Sequence, residues 1–264
     1  MMAVPDRELE DPWRQELQRL QQRVDDCGDY AGRVEFAKAS WQSKSPRLFG
    51  DLKIKLAGMC SGNRRCSYCE DSIADEIEHM RPKDLYPQET YVWRNYVLAC
   101  GPCNGPKNNR FAVLDESGEM IDISRKRNAP VVTPMTGSHA LVDPRIEDPI
   151  DFLWLDFRTW RYVPNFDDEN SIGWKRAEYT IDILRLNARD DLVRGRRAAF
   201  SGYESRLRAW IAHHIEWDVE RQASFIEDFR AERYRGVWER MKRHRAVLGG
   251  FAALLEAAPE AVNW

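Results

Sequence analysis

The sequence predicts an α+β fold: a small strand–strand–helix unit closed by paired cysteines and set inside a mainly α-helical chain. Three observations carry that expectation. Two C-x-x-C pairs, Cys66/Cys69 and Cys100/Cys103, bracket the stretch 66–104. Between the pairs lie two short runs with strand character, 75–79 and 95–100, and a helix of about two turns is expected to begin near Cys103. On either side, apolar residues recur at helical spacing, from Trp13 to Leu56 and again from Trp174 onwards.

Composition narrows the class. The chain has 264 residues, 43% of them hydrophobic, enough for one large domain or a small domain with extensions. A formal net charge of −3 gives no global attraction to nucleic acid, so any phosphate binding must come from local basic patches. No apolar run is long enough to span a bilayer, and the opening M-M-A-V-P-D-R-E-L-E lacks a signal-peptide core. A cytoplasmic protein without a membrane partner is therefore expected. Thiols stay reduced there, so paired cysteines favour metal over disulfides. Cys27 and Cys60, outside the pairs, read as ordinary reduced thiols, with Cys60 the likelier exception because it lies near Cys66.

Taken in order, the chain divides into an N-terminal helical segment (1–59), the clasped core (60–113), a mixed loop and β-hairpin segment (114–172) and a C-terminal helical region (173–264). Asp11-Pro12 reads as the N-cap and first position of a helix reaching Val24, with Trp13, Leu17, Leu20 and Val24 on one face. Helices follow over 30–41 and 46–59, packing on the core or binding a partner. Ser61-Gly62-Asn63 signals a turn. Loop 81–94 carries Pro82 and Pro87. A hairpin is expected from 152–155 and 160–163. Helices then cover 174–187, 190–217, 219–234 and 237–258.

Four thiolates in two such pairs suit a closed tetrahedral zinc site, structural because no coordination position stays open. The gap between the pairs leaves room for something inside the clasp: the dipeptide Glu78-His79, then Asn95, then C-N-x-x-K at Cys103-Asn104 and Lys107. A neutral imidazole exists near pH 7, so His79 is the natural general base. Asn104 offers an amide oxygen, a hard donor suited to Mg²⁺. Strand alternation points Glu78 and His79 to opposite faces.

These elements together resemble the HNH endonuclease family, with its ββα-metal core in the zinc-clasped form, over about residues 60–111. The family tolerates Asn104 where histidine is its other choice. The resemblance implies hydrolysis of phosphodiesters, DNA being the substrate, with 5′-phosphate and 3′-hydroxyl products. It implies that Glu78 and Asn104 hold a catalytic Mg²⁺ or Mn²⁺, and that Asn95 pins the long loop through its backbone and so orients His79. Lys107, Arg81, Lys83 and Arg110 become candidates for phosphate contact. Two shorter strings, L-V-D-P-R-I-E-D-P at 141–149 and I-L-R-L-N at 183–187, resemble the HNH nucleases of bacterial anti-phage systems of the Septu and retron-associated types. That second resemblance implies an ATPase partner, docked on flanking helices through aromatic positions such as Trp210, Trp217, Phe225, Phe229 and Trp238.

The plainer readings differ. Surface lysines and arginines are usually only solvated, and His139, His213, His214 and His244 read as surface or packing residues. The aromatic helix faces can equally pack on one another. A non-catalytic zinc-stapled module that binds nucleic acid or protein is the alternative to an enzyme.

Overall fold

Side-chain caps set where the second and third helices begin. The computed structural model describes residues 1–62 and 64–264, so Asn63 of the expected turn lies outside the described residues. Helices α1 (Trp13–Asp25), α2 (Tyr30–Gln42) and α3 (Pro46–Ala57) form the N-terminal segment. Asp29 accepts from the Gly32 amide at 2.9 Å, and Ser45 from that of Leu48 at 3.3 Å, each satisfying a donor the first turn leaves open. The start of α1 departs from expectation. Pro12 itself stands at the N-cap, and the Asp11 carboxylate is taken by Arg14 instead. Leu17 and Val24 of α1 and Phe49, Leu52 and Leu56 of α3 are buried.

The clasped unit follows. Strands β1 (Glu76–His79) and β2 (Tyr96–Ala99) pair antiparallel, with Glu78 opposite Val97 and His79 opposite Tyr96. Helix α4 (Gly101–Lys107) begins two residues before Cys103, because Pro102 fits a first turn where its missing N–H is not needed. Helix α3 packs on β2 and α4 on β1, so every residue of β2 is buried. This is the mixed helix-and-small-sheet architecture the sequence predicts.

Beyond it, β3 (Ala112–Leu114), β4 (Met120–Asp122) and β5 (Ser138–His139) form an antiparallel sheet in the order β4-β3-β5. A short α5 (Pro149–Phe152) leads into the hairpin of β6 (Leu153–Asp156) and β7 (Arg161–Pro164), one residue later than expected. The C-terminal region contains α6 (Ile172–Ile183), α7 (Asp190–His213), α8 (Val219–Arg230), α9 (Arg235–Arg243) and α10 (Phe251–Ala257). The last two were expected as one helix. Helix α9 stops at Arg243, a 3-10 turn over Arg245–Val247 follows, and Gly250 at φ +78°, a conformation that costs glycine little, precedes α10.

One apolar core draws on all four segments, from Leu17 and Leu52 through Tyr96 and Leu153 to Leu207 and Trp238. The aromatic residues expected on an open docking face lie largely inside it. Trp210, Phe229 and Trp238 are buried, and Trp217 and Phe225 pack against the same cluster. Trp264 closes it, 4.7 Å from the Trp210 ring and 5.1 Å from that of Phe229. Each aromatic side chain has a large apolar area to bury, which mutual packing of the C-terminal helices satisfies.

Candidate functional site

The four paired cysteines meet. Their sulfur atoms all lie within 4.8 Å of one another and all four residues are buried. Cys69 Sγ and Cys100 Sγ are 3.8 Å apart, which matches the edge of a tetrahedron built on Zn–S bonds of about 2.3 Å. The Cys100 amide donates to Cys66 Sγ at 3.3 Å, and Arg189, at the N-terminus of α7, donates to Cys103 Sγ at 3.2 Å. Four clustered sulfurs, two of them partnered by N–H donors, fit a closed zinc site. The clasp fastens the knuckle before β1 to the first turn of α4. Cys60 stands outside it, its thiol donating to Leu56 O at 3.4 Å.

Alternation along β1 places Glu76 and Glu78 on one face, towards α4. On α4, Asn104 and Lys107 are three residues apart and share a face. Two rungs result. Asn104 Nδ2 donates to Glu76 Oε2 at 2.6 Å. Lys107 Nζ bonds the Glu78 carboxylate and also donates to the His79 carbonyl at 2.8 Å. Lys107, expected as a candidate for phosphate contact, is completely buried and paired with Glu78. Burial raises the Glu78 pKa above the usual carboxylate range, with the Lys107 charge opposing.

His79 lies on the other face of the strand. Its Nε2 is 2.9 Å from the Thr90 carbonyl, which can only accept. Nε2 therefore carries the proton and Nδ1 keeps its lone pair. Trp41 of α2 and Tyr96 stand edge-on to the ring at 4.3 and 5.2 Å. Burial, reinforced by the Lys83 charge, pushes the imidazole pKa down to about 3, so the ring is neutral at pH 7.

Asn95 is buried and ties the intervening loop down by its amide. Its Oδ1 accepts from the Arg81 amide at 2.8 Å, and its Nδ2 donates to the carbonyls of Arg81 at 3.0 Å and Glu89 at 2.9 Å. Thr90, which holds His79, follows Glu89 in that loop, and Tyr96 Oη also donates to the Thr90 carbonyl at 2.6 Å.

The other expected basic residues divide. The Arg81 guanidinium is engaged by Glu89 and by His139 Nδ1 at 3.1 Å. Lys83 is half-buried with its ammonium over the Trp41 ring, and burial lowers its pKa. Arg110, just past α4, is exposed.

Sequence reasoning missed Glu76 and a groove. Strand alternation alone could have found Glu76, two residues before Glu78. The groove, about 570 Å³, is lined by Trp41, Phe49 and Lys53 from the N-terminal helices, by Lys44 from the link between α2 and α3, and by Glu76 and Asn104 from the clasped unit. No local signal ties Lys44 or Lys53 to Asn104; only tertiary packing does.

With the clasp, the paired strands and α4 in place, residues 66–110 match the family model described as HNH endonuclease. The chain thus carries an HNH endonuclease domain. It is also similar to the Septu protein PtuB of Bacillus thuringiensis, with 27% identity over 151 residues, 55% of this chain and 46% of the relative. The chain therefore spans about half the length of the curated relative it matches. No helix among the described residues is long and apolar enough to cross a membrane.

Proposed function

We propose that the chain is a metal-dependent HNH endonuclease that hydrolyses phosphodiester bonds of DNA, acting as the effector of a bacterial anti-phage system. The observation that carries this reading is His79: a neutral imidazole held through Nε2 by the Thr90 carbonyl, with Nδ1 left free, inside a domain that matches HNH endonucleases. A water proton passes to Nδ1, and the Thr90 carbonyl, accepting from Nε2–H, stabilises the imidazolium that forms.

Glu78 and Asn104 would hold Mg²⁺ or Mn²⁺. The donor set fits a hard cation: a carboxylate, plus an amide oxygen left available because Asn104 donates through Nδ2 to Glu76. Such a cation, when bound, supplies charge to the phosphoryl oxygens and the departing oxygen. Because His79 points to the other face of β1, for Glu78 to serve the same phosphate its carboxylate must reach round the strand end, and Lys107 must yield part of its hold. Asn95 keeps the loop, and with it His79, in position. Arg110, Lys44 and Lys53 offer charge to the backbone on either side.

Trp41 lies against the imidazole, so α2 limits access to the base. That contact and the likeness to a Septu protein support a gated enzyme that pairs with an ATPase through its helical segments and cuts weakly alone. A non-catalytic zinc-stapled binding module is the competing reading, favoured by the Lys107–Glu78 pair. Incubation with plasmid and Mg²⁺ or Mn²⁺, alone and with a candidate ATPase, separates them. Cleavage that EDTA stops and His79→Ala abolishes, at unchanged melting temperature, supports the enzyme. Cleavage undiminished in His79→Ala overturns the base assignment.

A further inference from the structure

The C-terminal end of α4 borders a second groove, of about 670 Å³, on the side of the helix that Gly105 and Pro106 line. Its charged lining is one-sided: Lys38, Arg110, Arg125, Lys126 and Arg127 against Asp84. The single carboxylate is already engaged, 3.0 Å from Lys38 and 3.5 Å from Arg125. Arg125 acts as a strut. It donates to the Asp84 carbonyl at 2.7 Å, Tyr30 Oη at 2.9 Å and the Val132 carbonyl at 3.3 Å, which fastens both ends of the loop 124–132. Lys126 and Arg127, next to this strut, are exposed, and among the described residues neither has a carboxylate within ion-pair distance.

A protein of net charge −3 has concentrated unpaired positive charge at the tip of a braced loop. Phosphodiester backbones are the polyanions such a tip fits, since affinity there comes from neutralised phosphates. Helix α4 separates this groove from the one that holds Asn104. A helix with side chains is about 10–12 Å across, close to the separation of strands across a duplex groove. We infer that the loop 124–131, through Lys126 and Arg127, grips the backbone of the strand that is not cut, so that a duplex straddles α4. The strand assignment rests on the nuclease reading of the Asn104 groove; the binding of duplex by this loop does not.

The test measures binding of the whole zinc-loaded chain to a short labelled DNA duplex across a salt series, without Mg²⁺ or Mn²⁺, so that nothing is cut. Lys126→Ala/Arg127→Ala should lower the slope of log affinity against log salt by about 2, since each lost phosphate contact on duplex DNA is worth about 0.9. Arg197→Ala/Arg245→Ala, equally exposed on the C-terminal helices, should leave the slope unchanged. The loss should be greater on duplex than on the single strand. An unchanged slope, an equal slope loss in the control pair, or no duplex binding by the unaltered chain at low salt overturns the inference. An equal loss on single strand overturns the straddled duplex. A chain that shows the expected slopes yet never cuts plasmid fails as a nuclease while the loop contact stands.

Discussion

Lys107 bonds the Glu78 carboxylate and, at 2.8 Å, the His79 carbonyl, so one buried ammonium holds α4 against the last two residues of β1. Removing it strands a buried carboxylate. Lys107→Met should cost about 3–5 kcal/mol, the usual penalty for breaking a buried pair from one side. If Glu78 can take a cation, Mg²⁺ should then raise the melting temperature of the variant more than that of the unaltered chain. Thermal unfolding with and without Mg²⁺ reads this directly, and equal Mg²⁺ responses would remove Glu78 from the cation site.

The clasp makes a second prediction. Cys69→Ser and Cys103→Ser should each lose zinc and fold poorly, because structural zinc contributes on the order of 10 kcal/mol to folding in small zinc-finger peptides. Metal analysis of the unaltered chain should give one zinc per chain. A zinc-free protein that unfolds at the same temperature would dismiss the clasp.

Asn95 offers a third test, because its amide serves three main-chain groups. Asn95→Ala should destabilise by on the order of 2 kcal/mol, the cost of buried polar groups left without partners. The Arg81 amide should exchange its hydrogen faster than neighbouring β2 amides, and cleavage should fall as Thr90 loses its hold on His79. Arg81 protection equal to that of the unaltered chain would show that the loop is held by something else.

Asp143 carries a pH prediction. Burial, aided by the Glu147 charge, pushes its carboxyl up to about 6. Below the unfolded value of about 4 both states are protonated; between about 4 and about 6 the folded chain keeps a proton that the unfolded chain releases, so stability falls as pH rises. Above that window the full cost, about 3 kcal/mol, remains. Asp143→Asn retains the oxygen that accepts from the Arg145 amide at 2.9 Å and abolishes the charge. It should be more stable than the unaltered chain at pH 7.5 and equal to it near pH 4. The same difference at both pH values would mean that the ionisation is not the cause.

How far the site could be read in advance depends on the range of the interactions. The cysteine pairs, the strand ending at His79 and the short helix after Cys100 are local patterns, and each lies within two residues of its expected place. Errors arose where backbone conformation or distant packing intervened. The expected helix 237–258 breaks after Arg243 into a 3-10 turn, and the aromatic positions expected to meet a partner pack inward around Trp264. His139, read as a surface or packing residue, does pack against Phe111 and Tyr86, and it also accepts from Arg81.

The sequence by itself determined the four-cysteine clasp and the ββα unit inside it, because cysteine spacing and strand alternation are set within a few residues. Only the tertiary structure decided the partners. The angle at which α4 crosses β1 joins Asn104 to Glu76 and Lys107 to Glu78, and the packing of α2 brings Trp41 against His79. Those contacts depend on how separate elements dock, and docking is governed by the shared core, to which every segment of the chain contributes.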